Sequence, residues 1–156
     1  MIRLVIDPIK NPLHGQEIPT VTAQEKGEAV KFTYKNGRQI PYIYHFEKPE
    51  VQRARNFYRF HILKYMNENK IPAPKFEGPV SMTVTFFFDT KTKANIGKWK
   101  TTKPDCDNIV KLLQDQLAEL DFFKVGDQQV VDLTVRKIWT DKPRIVIEIQ
   151  ELETRP

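Results

Sequence analysis

Hydrophobic and polar positions follow a period of two in some stretches of the chain and a helical period in two others. Val80, Met82, Val84, Phe86 and Phe88 alternate with Ser81, Thr83 and Thr85, which predicts a strand with one face buried. Residues 2–6 predict a shorter strand, stopped by Asp7-Pro8. Residues 31–35 and 38–46 flank Asn36-Gly37, a two-residue hairpin signal, and Phe32, Tyr34, Ile40, Tyr42 and Tyr44 supply β-prone side chains. Two last strands are expected over Val130–Trp139 and Arg144–Leu152, joined as a hairpin through Thr140-Asp141-Lys142-Pro143.

The period lengthens twice. Lys48-Pro49-Glu50 opens a helix running to about Asn67, with Pro49 suited to its first turn and Val51, Ala54, Tyr58, Ile62 and Tyr65 facing the core. Asp107 to Leu120 predicts a second helix with Ile109, Leu113, Leu117 and Leu120 inward, while Asp107, Lys111 and Asp115 share another face. Residues 8–30, with Pro8, Pro12, Pro19, Gly15 and Gly27, are expected to form a long surface loop. Ile71–Gly78 is a proline-containing connector, and Asp89–Lys103 a polar, lysine-rich loop. There is no repeat, no sign of a second domain and no steady βα alternation. The expectation is an α+β fold: one domain over residues 1–156, a mixed sheet packed with two main helices.

Composition narrows the partners. The chain has 156 residues, 40% apolar and 29% charged, as in a folded water-exposed domain. A net charge of +5 is compatible with a polyanion such as nucleic acid without requiring one. One cysteine, Cys106, excludes an internal disulfide framework and fits a reducing compartment. The N-terminal apolar run is too short for a signal peptide and no stretch approaches membrane-spanning length, so a cytoplasmic protein is expected.

Against that basic background, carboxylates gather at one place. Lys103-Pro104-Asp105-Cys106-Asp107-Asn108 stands at the predicted start of the second helix, followed by Lys111, Asp115 and, further on, Gly126-Asp127-Gln128-Gln129-Val130. Helix capping accounts for one such acid, and Asp107 with Lys111 is an ordinary helical pair. Capping does not use Asp105, Asp107 and Asp127 together, nor does it need the lysine-rich loop ahead of them. Hard oxygen ligands suit Mg²⁺, with Mn²⁺ as the alternative, and such an ion can hold a phosphate and activate water. Lys111 would stabilise charge developing on that phosphate. Cys106 has no cysteine or histidine at zinc-site spacing and is expected to fill space instead.

A helix over 107–120 rises about 20 Å, and seven residues from Leu120 to Asp127 span at most about 25 Å. Asp127 therefore rejoins Asp107 only by running almost straight back, or else it serves a second subunit. Gln52, Arg55 and Arg59 fall on one face of the first helix, which is either a solvated surface or a phosphate-contacting one.

The spaced pattern from Lys103 to Val130 resembles the RusA-like family of Holliday junction resolvases. The match covers roughly residues 80–139 and includes the lead-in from Trp99 to Lys103. The resemblance implies catalytic metal-binding acids at Asp105, Asp107 and Asp127, an essential basic residue at Lys111, and a homodimer acting on four-way junction DNA in recombination and repair. Asp115 matches too, without an assigned role. The family usually has two acids ahead of the glutamine motif, and this chain has Gly126 at the first. Its N-terminal half departs further, with the longer 8–30 loop. On this reading Lys98, Lys100, Lys103, Arg55 and Arg59 are candidate DNA contacts. The rival expectations are a nuclease for other branched DNA, such as forks or flaps, and a non-catalytic DNA-structure-binding protein whose acids cap a helix. A nucleotide-handling enzyme ranks lower, since no glycine-rich phosphate loop is present.

Overall fold

The computed structural model describes residues 1–8, 17–21 and 26–153. Its centre is a four-stranded sheet built from β1 (Ile2–Ile6), β4 (Val80–Asp89), β5 (Val130–Thr140) and β6 (Arg144–Glu151), in the order β1-β6-β4-β5. The remaining elements are β2 (Lys26–Lys35), β3 (Arg38–Glu47), α1 (Pro49–Asn69) and α2 (Cys106–Glu119). The α+β class with a mixed sheet and two helices is the one the sequence implies.

The alternation along β4 decides the layering. Val80, Met82, Val84, Phe86 and Phe88 are buried, and register places Met82 beside Ile149, Val84 beside Ile147 and Phe86 beside Ile145. Leu4 and Ile6 of β1 continue two of those rows, so one sheet face is a continuous apolar floor. Both helices cover it. α1 contributes Val51, Ala54, Phe57, Tyr58 and Ile62, and α2 contributes Ile109, Leu112, Leu113 and Leu117. Tyr65 and Leu120, expected inside, are only partly buried at the margin. No helix among the described residues is long and apolar enough to cross a membrane.

Two expectations need correction. β5 and β6 are not a hairpin: β5 pairs with β4 in parallel, while β6 pairs with β4 antiparallel on its other side. Residues 141–143 carry the chain across the end of β4. Two strand spacings are about 10 Å, within the roughly 14 Å that four Cα steps reach. A short link thus joins either adjacent strands or strands one apart, and sidedness is set by α2, which returns the chain parallel to β4.

The second correction concerns the 8–30 loop. Its last five residues, 26–30, belong to β2 and pair with Ile43–Glu47. Residues 9–16 and 22–25, also assigned to that loop, lie outside the described residues. β2 and β3 form a separate two-stranded ribbon, joined at a turn where Asn36 (φ 50°) and Gly37 (φ 73°) both adopt the left-handed backbone that such a turn requires. Only Gly27 in the ribbon is even half-buried.

Candidate active site

The loop before α2 is zipped to the outer edge of β5. Gly97 N–H donates to the Trp139 carbonyl, Trp139 N–H to the Lys98 carbonyl and Lys100 N–H to the Lys137 carbonyl, each at 2.9 Å. Lys98, Trp99 and Lys103 remain exposed along this path.

Lys100 takes a different place from the phosphate contact expected of it. It is 8% exposed, with its amine 4.4 Å from the centre of the Trp139 ring. That amine donates to the Thr102 hydroxyl and to the Lys103 carbonyl at 2.6 Å. Burial, and then the nearby Lys137 charge, lower its pKa below the ordinary lysine value. Lys137 completes the arrangement, donating to the carbonyls of Thr102 at 2.8 Å and Pro104 at 2.5 Å. Two amines therefore gather the backbone oxygens of residues 102–104, immediately ahead of Asp105. Sequence reasoning missed Lys137. Its signal is its phase, since it shares the inward face of β5 with Val135 and Trp139, where an apolar residue belongs.

Asp105 is the N-cap residue of α2, with extended backbone (φ −73°, ψ 148°), yet its side chain makes no capping hydrogen bond. Its main-chain carbonyl accepts from Ile109 N–H at 3.0 Å. Asp105 and Asp107 are both exposed, and neither carboxylate has a hydrogen-bond or ion-pair partner among the described residues. Capping, the simpler account of these acids, does not employ either side chain here. Cys106 between them turns inward, its sulfur 3.9 Å from the Val135 carbonyl.

After α2 the chain runs back along the helix. Phe122 and Phe123 are buried, Phe76 N–H donates to the Phe122 carbonyl, and Lys124 N–H donates to the Phe76 carbonyl. Gln129 fastens the return: its amide donates to the carbonyls of Phe76 (3.0 Å) and Gly78 (2.9 Å), and its oxygen accepts from Val125 N–H (2.6 Å). Gly126 sits at φ 138°, and a Cβ there would stand 2.5 Å from the Gln128 side-chain oxygen. Gln128 can swing aside, but the backbone angle itself disfavours a second acid at this position.

This return brings Asp127 to α2 of its own chain. Its carboxylate accepts from the Lys111 amine at 2.5 Å, and Lys111 also pairs with Asp115 at 2.8 Å. Asp115 in turn pairs with Arg55 at 3.3 Å, and Arg55 with Glu47 at 2.8 Å. Acid and base thus alternate from Glu47 through Arg55, Asp115 and Lys111 to Asp127, linking the end of β3, both helices and the returning loop. The hydrogen bond to Asp115, then that to Asp127, raise the Lys111 pKa despite partial burial, so Lys111 stays cationic. For Arg55, burial opposes the charge, but Glu47 and Asp115 outweigh it and raise its pKa as well. Arg55 is therefore occupied by two carboxylates, and Arg59 pairs more loosely with Glu119 at 3.6 Å. Glu47, Gln52, Arg55, Arg59, Asp115 and Asp127 line an open polar groove of about 650 Å³ between the helices.

Asp105 and Asp107 suit a hard divalent cation by donor type and by having no competing partner. Asp127 offers a third carboxylate, currently held by Lys111. Among the described residues no three His, Cys, Asp or Glu side chains are grouped closely enough to hold a metal.

The family model for the endodeoxyribonuclease RusA matches residues 30–150. A protein of Lactococcus phage r1t described as crossover junction endodeoxyribonuclease rusA is 42% identical over 74 residues, covering 47% of this chain and 56% of that protein. The uncharacterized protein YqaN of Bacillus subtilis (strain 168) is 41% identical over 86 residues, covering 48% of this chain and 59% of that protein. The chain spans a little over half the length of these curated relatives.

Proposed function

The chain belongs to the RusA endodeoxyribonuclease family, and from that premise we infer that it is a divalent-metal-dependent endonuclease that resolves four-way DNA junctions by paired, symmetric nicks. The observation that carries this reading is the pair of unpartnered carboxylates, Asp105 and Asp107, at the start of α2, on the helix whose Lys111 meets Asp127. Asp105 and Asp107 would hold Mg²⁺ or Mn²⁺, and Asp127 would join them only on leaving Lys111. When bound, such an ion supplies an activated water and offsets charge on the phosphate.

The protein's own groups carry the rest. Lys111, kept protonated by Asp115 and Asp127, presents its ammonium to a phosphate oxygen as negative charge develops there. Asp115 and Arg55 orient Lys111 rather than touch DNA. Lys98 and Lys103, exposed on the loop leading into the acids, together with Arg59, contact backbone phosphates, which makes binding fall with salt. Lys100 and Lys137 fix the loop that aims Asp105. A junction with approximate two-fold symmetry needs two related sites for paired cuts, which a homodimer provides. Recombination and repair in the cytoplasm are the setting this activity fits.

The test is cleavage of a synthetic mobile four-way junction with and without Mg²⁺, beside fork, flap and duplex substrates of the same sequence. Paired nicks at the junction that need the metal and vanish in Asp107→Asn support the reading. No nicking by the wild type, equal cutting by Asp107→Asn, or preference for forks or flaps overturns it.

A further inference from the structure

The β2–β3 ribbon has two faces of different chemistry. Register puts Ala29 opposite Tyr44, Lys31 opposite Tyr42 and Gly27 opposite Phe46, so these share one face with Lys35 and Arg38. On that face Tyr42, Tyr44 and Phe46 form a row along β3. The Phe46 ring lies over Gly27, where a Cβ would come within 2.4 Å of it. The Tyr44 and Phe46 rings stack at 6.3 Å between centroids, and the Lys31 amine sits 3.7 Å from the Tyr44 ring centre. Lys31, Lys35 and Arg38 are cationic, and no acid is present on this face. The opposite face carries Val30, Phe32, Tyr34 and Ile43 with Lys26 and His45, and its acids are Glu28, 3.3 Å from His45, and Glu47.

We propose that the Tyr42–Tyr44–Phe46 face is a stacking platform for unpaired nucleotides of a DNA strand next to the candidate active site. Every base has a flat π face, so an exposed row of rings binds single strands with little sequence preference, and neighbouring cations meet the phosphates. The face has no acid of its own to offset three cations buried against a second protein surface, and lysine is depleted from protein interfaces. Phosphates supply that offset. Position agrees: Phe46 is followed by Glu47, which is tied to Arg55 at 2.8 Å and so to the charge chain ending at Asp127. Tyr42 lies five residues from Glu47, about 17 Å of strand. Bases unpaired at a branch would thus be held within one short strand length of Glu47, where the chain of charges leading to Asp127 begins.

The proposal rests on the nuclease reading for its substrate, but its test does not need cleavage. Affinity is measured by fluorescence anisotropy for a single-stranded oligonucleotide and for a duplex of equal length, without metal. The proteins are the wild type, Tyr42→Ala/Tyr44→Ala/Phe46→Ala, the ring-keeping Tyr42→Phe/Tyr44→Phe, and the opposite-face Val30→Ser/Phe32→Ser. The triple alanine variant should lose about tenfold or more on the single strand and less than twofold on the duplex. The ring-keeping and opposite-face variants should match the wild type on both. Wild-type single-strand affinity in the triple variant overturns the proposal. So does an equal loss on duplex, or a loss in the opposite-face variant as large as in the triple one. A junction that is bound in this way but never nicked would sink the nuclease reading alone.

Discussion

Replacing Lys137 with methionine keeps its apolar stem and removes one of the two amines that gather the carbonyls ahead of α2. The Pro104 carbonyl, bonded at 2.5 Å, loses its partner outright. The Thr102 carbonyl loses a 2.8 Å bond but keeps Lys100 at 3.4 Å. A hydrogen bond to a charged group contributes about 1.5–3 kcal/mol, and removing a like charge beside Lys100 returns part of that. The expected destabilisation is about 2 kcal/mol, or a fall in Tm of about 4–8 °C for a chain of this length. The effect on cleavage should be larger than on folding, because the freed segment carries Asp105, and a misplacement of about 1 Å in a catalytic group can cost on the order of a hundredfold in rate. Urea denaturation followed by circular dichroism gives the first quantity, and junction nicking at saturating Mg²⁺ the second. An unchanged midpoint together with an unchanged rate refutes the positioning argument. A lowered midpoint with a wild-type rate shows that Lys100 alone holds Asp105 in place.

Asp105→Asn and Asp107→Asn should abolish nicking yet melt within about 0.5 kcal/mol of wild type, because neither carboxylate has a protein partner to lose. Asp115→Asn should lower stability by about 1–2 kcal/mol, since its pairs with Arg55 and Lys111 are both weakened; a wild-type urea midpoint would contradict the hub role. Gly126→Asp should cost about 1–3 kcal/mol from the φ of 138°, measured the same way, even though it supplies an extra acid near Asp127. The folded-state pKa of Lys111 is raised, so its contribution is complete below the unfolded value of 10.5 and is lost as pH climbs through the folded one. From neutral pH upward, the stability gap between wild type and Lys111→Met should therefore be flat to pH 10.5 and narrow above it; a gap that widens there has the wrong sign.

The parts of this fold legible in the sequence are those whose signals are local. The alternation of β4, the inward stripe of each helix and the Asn36-Gly37 turn depend on near neighbours and period. The pairing of β6 depends on which side of β4 it falls, and residues 141–143 are compatible with both. The start of β2 was hidden because both ribbon faces are exposed, leaving Lys26–Val30 without a buried phase. At the site, the spacing from Lys103 to Gln129 marks the residues, but the state of each charge is tertiary. Lys100 and Lys103 look alike in a lysine-rich loop, and only the Trp139 ring, the Thr102 hydroxyl and two backbone oxygens distinguish the buried one from the exposed one. The return of Asp127 within one chain was a question of reach, and Gln129, bonding to the 76–78 connector, is what closes it.

The ribbon also has a consequence for how such a chain can change over generations. Lys26 and Glu47 face each other at its base, and opposed Cα atoms in an antiparallel pair are only about 5 Å apart. The arm can therefore be shortened, lengthened or removed without moving the points where it joins the body. Each added cross-strand pair extends the reach by about 3.3 Å, while a one-residue slip between the strands would set every ring on the wrong side. Length is thus a freely adjustable trait of the arm, provided it is altered in steps that keep the pairing in phase.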